Sequence, residues 1–111
     1  MTIKMQLSGK TFSVALADTA AARAWAKRLP VTLQMQELNG NEKYAYLSKS
    51  LPSAPQAVGD IRAGDIMLFG DDCLVLFYAS FNTPYRYTRI GRVEHLPDLS
   101  GQPTVSVTFS N

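Results

Sequence analysis

The sequence predicts a mainly β protein: a closed or nearly closed barrel of about eight strands with one main α-helix over residues 19-29. Three observations carry this. Short runs of alternating apolar and polar residues recur along the chain, as half-buried strands require. Gly, Asn and Asp punctuate those runs as turns. Only one segment keeps the i, i+3, i+4, i+7 spacing of a helix. Seven or eight strands within 111 residues favour closure, because a closed barrel leaves no free edge to pair with another chain. Residues 1-111 are of single-domain size, and roughly 66% of the extended-chain surface is buried at this length, enough for one core without metal or disulfide staples.

Ile3, Met5 and Leu7 alternate with Lys4 and Gln6, Ser8-Gly9-Lys10 turns, and Phe12, Val14 and Leu16 alternate in reply, which reads as a hairpin. Asp18 or Thr19 caps a helix that carries Ala22, Trp25, Ala26 and Leu29 on one face and Arg23, Lys27 and Arg28 on the other; Pro30 ends it. Val31, Leu33 and Met35 make the next strand, which closes at Asn39-Gly40-Asn41. Residues 48-59, with Pro52 and Pro55 and three serines, have the composition of an irregular surface loop, either a lid or a connection. Gly70-Asp71-Asp72 joins Ile66–Phe69 to Cys73–Tyr78, and both strands are apolar on both faces, as central strands covered on their outer side would be. Ser80 to Pro84 is a loop, Tyr85 to Ile90 alternates, and Thr104 to Phe109 is the last strand.

Eleven Lys and Arg against nine Asp and Glu leave a formal charge of +2, spread rather than massed, so nucleic acid is not an expected partner. Arg86 and Arg89 interleave with tyrosines but point to opposite faces of a strand. The single cysteine, Cys73, excludes an internal disulfide and fits a reducing, cytoplasmic setting. No basic-then-apolar leader opens the chain, and the longest apolar run, Cys73 to Ala79, is far shorter than a membrane span, so a soluble protein with no membrane partner is expected.

Two residue groups bear on function. The aromatic set Tyr44, Tyr46, Phe69, Phe77, Tyr78, Phe81, Tyr85 and Tyr87 is dense for so short a stretch, and tyrosine joins apolar area to a donor where a ligand meets water. Alternation puts Phe77 with Cys73 and Val75, and Tyr78 with Leu74 and Leu76; the Leu74, Leu76, Tyr78 row is read as the outer one, either covered by the proline loop or open as a groove. The carboxylates Glu37, Glu42, Asp65, Asp71 and Asp72 form the second group, with Asp71-Asp72 most simply a hairpin turn. His95 is the sole histidine, which leaves no multi-histidine metal site. Gly64 and Gly70 are isolated turn residues rather than a phosphate-binding loop, so no cofactor is expected.

The order of elements resembles that of cyclophilins. The carrying stretches are Leu16-Ala17-Asp18-Thr19 leading into the Trp25 helix, Gly64-Asp65-Ile66-Met67-Leu68, the Leu74 to Tyr78 strand and Ile90-Gly91-Arg92-Val93. Leu38 to Tyr44, Gly64 to Gly70 and Leu76 to Thr83 resemble the small bacterial cyclophilin-like proteins of undefined activity more closely. The resemblance implies an eight-stranded barrel with a groove on the outside of one sheet, where true cyclophilins isomerise X-Pro bonds. It also implies an Arg on the third strand and a Gln in the strand reading Leu74-Val75-Leu76-Phe77, and this sequence has neither.

The expected function is therefore a cyclophilin-like binding domain without efficient prolyl isomerase activity. It would hold an extended peptide or small molecule in a groove lined by Gln34, Gln36, Tyr44, Phe69, Leu76, Tyr78, Phe81 and Tyr85. The alternative is an enzyme, either a weak peptidyl-prolyl isomerase with Gln34 as donor or an acid-base catalyst of a small metabolite using Glu42 with Tyr44. A homodimer interface on the outer apolar face is the third reading.

Overall fold

Ser8 and Gly9 both take positive φ, 53° and 76°, which matches the tight turn that a right-twisted hairpin needs. They set strand β1 (Thr2–Leu7) against β2 (Lys10–Leu16), with Leu7 opposite Lys10. The computed structural model describes all residues 1–111.

The helix α1 spans Ala20–Ala26, shorter than the spacing predicts. Thr19, not Asp18, is its cap: Thr19 Oγ1 accepts from Ala22 N at 3.1 Å and donates to Arg89 O at 2.8 Å. The last turn tightens before Pro30, with Arg28 N donating to Trp25 O at 2.9 Å, and the Arg28 side chain reaches the 48-59 segment, donating to Lys49 O and Ser50 O. Trp25 is buried edge-on against Phe109, with centroids 4.6 Å apart, among the inward residues of the strands. The helix thus plugs the barrel rather than covering an outer face.

The remaining wall strands are β3 (Val31–Leu38), β4 (Glu42–Tyr46), β7 (Asp65–Phe69), β8 (Cys73–Phe77), β10 (Arg86–Val93) and β11 (Thr104–Ser110). The antiparallel order β2-β1-β11-β3-β4-β8-β7-β10 closes when β10 pairs β2, with Val93 opposite Val14. This is the eight-stranded closed barrel that the sequence predicts. Closure depends on Gly91, which follows a register shift in β10: a Cβ there would lie 2.7 Å from Ala15 O. Three short strands sit outside the wall. β5 (Gln56–Ala57) adds to β10, and β6 (Asp60–Ile61) pairs β9 (Phe81–Asn82), so the two segments read as plain loops each contribute a short ladder. No helix is long and apolar enough to cross a membrane.

The main core lies inside the barrel and takes Ile3, Met5, Val14, Met35, Leu68, Leu74, Leu76, Tyr78, Val107 and Phe109. A second, smaller cluster lies outside the wall and joins Ile61, Met67, Cys73, Val75, Phe77 and Tyr87. This corrects the face assignment of β8. Leu74, Leu76 and Tyr78 point inward, and the outer row is Cys73, Val75 and Phe77. The strand reads apolar on both faces because Ile61, Tyr87 and the partly buried Val58 and Phe81 cover part of its outer side.

Candidate functional site

Strands β4, β8 and β7 are neighbours in the wall. Side chains directly opposite in a ladder share a face, and the registers Tyr44↔Val75, Tyr46↔Cys73 and Phe69↔Cys73 therefore gather these residues on the outside. Tyr85 and Tyr87, at the start of β10, complete one wall. Leu38, Asn39 and Glu42, where β3 turns into β4, close one end. Together they line an open groove of about 320 Å³. Phe69 meets Tyr85 and Tyr87 with centroids 6.1 and 5.6 Å apart, and Tyr44 meets Tyr46 edge-on at 5.9 Å. Tyr46, Phe69 and Tyr85 remain 68%, 47% and 61% exposed, so three large rings stand uncovered around one concavity.

Glu42 is the only charged side chain in the groove lining. It is 8% exposed and has neither an ion-pair partner nor a hydrogen bond from another side chain. Burial raises its carboxyl above the ordinary range, and the charge of Glu37 adds to the rise. Burial likewise pushes the Cys73 thiol up to about 11, with Asp72 and Glu42 contributing, so it is a poor nucleophile despite its place on the groove floor. Tyr87 is raised by burial and by Glu42.

Behind the same wall lies a separate polar network. Lys43 is fully buried and points into the barrel, where its Nζ donates to Glu37 Oε1 at 2.8 Å and to Gln102 O. Tyr78 Oη donates to Glu37 Oε1 at 2.7 Å, and Gly40 N to Glu37 Oε2 at 2.7 Å. The Lys43 ammonium also stands 5.2 Å from the Tyr78 ring centre. Burial works to raise the Glu37 carboxyl, but the bonds from Lys43, Tyr78 and Gly40 prevail and hold it below the ordinary value.

Of the residues expected in the groove, Tyr44, Phe69 and Tyr85 line it. Leu76 and Tyr78 do not, since they fill the barrel interior. Phe81 packs on Phe77 with centroids 5.6 Å apart, beside the groove rather than in its lining. Gln36 is exposed opposite Tyr44 on β3 but forms no part of the lining, and Gln34 lies further along the strand, its Nε2 donating to Ser106 Oγ at 3.1 Å. Leu38, Asn39, Tyr46, Cys73, Val75 and Tyr87 are lining residues missing from the expected set. The signal for Cys73 and Val75 was available: a short hairpin puts Phe69 opposite Cys73, so a groove that contains Phe69 must also take the Cys73 row and not the Tyr78 row. No three His, Cys, Asp or Glu side chains converge to hold a metal ion.

A closed eight-stranded barrel plugged by a helix, with an apolar groove outside one sheet, defines the class. The family model for the Cyclophilin-like family matches residues 5–110, and the chain belongs to that family. The solution structure of a hypothetical protein from Archaeoglobus fulgidus is similar in fold, with a TM-score of 0.61 at 18% identity, over 99% of this chain and 93% of that one. No curated protein matches the sequence.

Proposed function

We propose that this cyclophilin-like domain binds a small molecule, or a side chain of an extended peptide, in the outer groove, and that it does not isomerise X-Pro bonds efficiently. The observation that carries the binding reading is the exposure of Tyr46, Phe69 and Tyr85 around one concave, mostly apolar surface. Scattered exposed rings need no explanation, but rings gathered at a pocket with a few convergent polar groups, here Asn39 and Glu42, are the usual form of a ligand site. The volume, about 320 Å³, lies at the small end of such sites, which span about 300–1,000 Å³.

Isomerisation must lower a rotation barrier of about 18–20 kcal/mol by withdrawing the amide lone pair, which calls for a donor aimed at the prolyl nitrogen. No Arg or Lys lines the groove, and the Gln34 amide is engaged on the β3–β11 face. Loss of one such donor costs about 100- to 1,000-fold in rate. Glu42 supports a second reading, acid-base chemistry on a small metabolite, because a carboxyl in a cleft that burial raises above its ordinary range is suited to accept or donate a proton. The dispersed charge and the single buried thiol support a cytoplasmic setting without nucleic-acid or membrane partners. A homodimer that covers the rings is tested by sedimentation at micromolar concentration.

The test is a ¹⁵N–¹H correlation titration with an X-Pro tetrapeptide and a set of small aromatic fragments, together with exchange spectra of the peptide. Shifts confined to the amides of Tyr44, Phe69, Cys73 and Tyr85, without accelerated cis–trans exchange, are expected. Shifts confined to the Gln34 and Ser106 face would contradict the binding reading, and rapid exchange would contradict the other half.

A further inference from the structure

We propose that the groove selects a small alkylammonium ion, its charged head against the Glu42 carboxylate and its methyl or methylene groups against the surrounding rings. This rests on the groove being a ligand site and specifies what it takes.

The starting point is an imbalance of charge. Glu42 is 8% exposed, lines the groove and has no counter-ion. A carboxylate largely shielded from water without a partner is costly, and the only relief left to Glu42 is the solvent that reaches it from the groove. Lys43, the nearest cation in sequence, projects through the other face of β4 and is committed to Glu37 and Gln102. An anionic ligand would be repelled, and a neutral one could at most donate a hydrogen bond to Glu42 without balancing its charge.

The rest of the lining narrows the kind of cation. Tyr44, Tyr46, Phe69, Tyr85 and Tyr87 present aromatic surface to the same space, and aromatic faces attract cations, most strongly where water is excluded. A hard, hydrated metal ion needs several oxygen ligands, and the structure offers one carboxylate with no converging acidic partners. An organic ammonium ion carries a diffuse charge on an apolar body and satisfies both parts of the lining. The small volume favours a free small molecule over a folded partner.

The titratable groups that share the lining with Glu42 are Tyr44 and Tyr46 on β4, Cys73 on β8, and Tyr85 and Tyr87 at the start of β10, and no second carboxylate, Lys, Arg or His stands among them. Glu37 and Lys43 act on it only through the wall. Binding should therefore follow the ionisation of Glu42 itself. It strengthens as pH rises through the elevated carboxyl range and weakens as the group is protonated.

The experiment compares choline with its neutral carbon isostere, 3,3-dimethylbutan-1-ol, by ¹⁵N–¹H titration of the wild-type protein and of Glu42→Gln. Choline is expected to shift the groove amides and to bind at least about ten-fold more tightly than the alcohol, the order expected of charge pairing plus cation–π attraction. Glu42→Gln is expected to weaken choline and to narrow its preference over the alcohol to less than about two-fold. Equal binding of the two probes to the wild type would overturn cation selection while the groove remained a ligand site, and this comparison needs no variant. If neither these probes nor the tetrapeptide and aromatic fragments shift the groove amides, the binding reading fails first and this proposal with it.

Discussion

Glu37 and Glu42 flank the same turn yet face opposite sides of one barrel wall. Glu37 turns inward, where Lys43, Tyr78 and the Gly40 amide satisfy it. Glu42 turns outward into an aromatic groove, where no partner meets it. The alternation of a strand is the cause: Glu37 stands opposite Lys43, and Leu38 opposite Glu42, so the parity that pairs one acid isolates the other. The inner acid serves the fold, and the outer one is available to a ligand.

Glu42→Gln should stabilise the protein at neutral pH. A carboxyl whose folded pKa lies above its unfolded value binds protons more readily when folded, so stability falls as pH rises from the unfolded pKa through the folded one. Above that window the full penalty is present, and the amide removes it. Urea midpoints at pH 7 and pH 4 should show an advantage for the variant that shrinks at the lower pH.

Lys43→Met should destabilise by about 3 kcal/mol, the low end of the cost of orphaning one member of a buried ion pair. The low end applies because Glu37 keeps Tyr78 and Gly40 as donors and is partly exposed. Glu37 is held below its ordinary pKa, so its contribution is present above the unfolded value and lost as pH falls through the folded one. The Lys43→Met deficit in urea midpoint, at unchanged m-value, should accordingly narrow in acid.

Tyr78→Phe keeps the ring in the core and removes one hydrogen bond to a charged acceptor, which should cost about 2 kcal/mol. Burial pushes the Tyr78 phenol up to about 12, with Glu37 adding to the rise. The neutral phenol is thus favoured in the fold, and its contribution falls as pH climbs from the unfolded value near 10 towards 12. Absorbance titration of phenolate should show two late-titrating tyrosines, Tyr78 and Tyr87, and Tyr78→Phe should remove one of them.

Gly64→Ala should cost at least about 2 kcal/mol, since a side chain at positive φ is unfavourable by itself. Here φ is +99°, and a Cβ would meet Val93 O at 2.3 Å. The amide of Val93 donates to Gly64 O and that of Gly64 to Phe77 O, so the strain falls where β7, β8 and β10 converge. Thermal unfolding of the variant against the wild type reads the loss directly.

Much of the architecture is legible before any coordinates. The Ser8-Gly9 hairpin, a helix capped at Asp18 or Thr19 with Trp25 on its apolar face, the β3 alternation and the closed barrel all follow from period and turn chemistry, though the helix is shorter than its period suggests. Strand β4 is not legible, because Glu42-Lys43-Tyr44-Ala45-Tyr46 puts a charge on each face and hides the alternation. Lys43 reads as a surface residue until its partner across the turn is known. The β8 row was misassigned because both of its faces are apolar, and composition alone cannot tell an interior from a covered exterior. The ladder partner Phe69 resolves that ambiguity.

The central claim is that the ligand site lies outside the wall, over Cys73 and Val75, between the tyrosines of β4 and the rings of β7 and β10. Crystals soaked in phenol and in 2-propanol test it most directly. The account predicts that both molecules collect in that groove, within contact of Tyr44 and Phe69. An empty groove, with the probes gathered instead on the Gln34 face or elsewhere on the barrel, would contradict it.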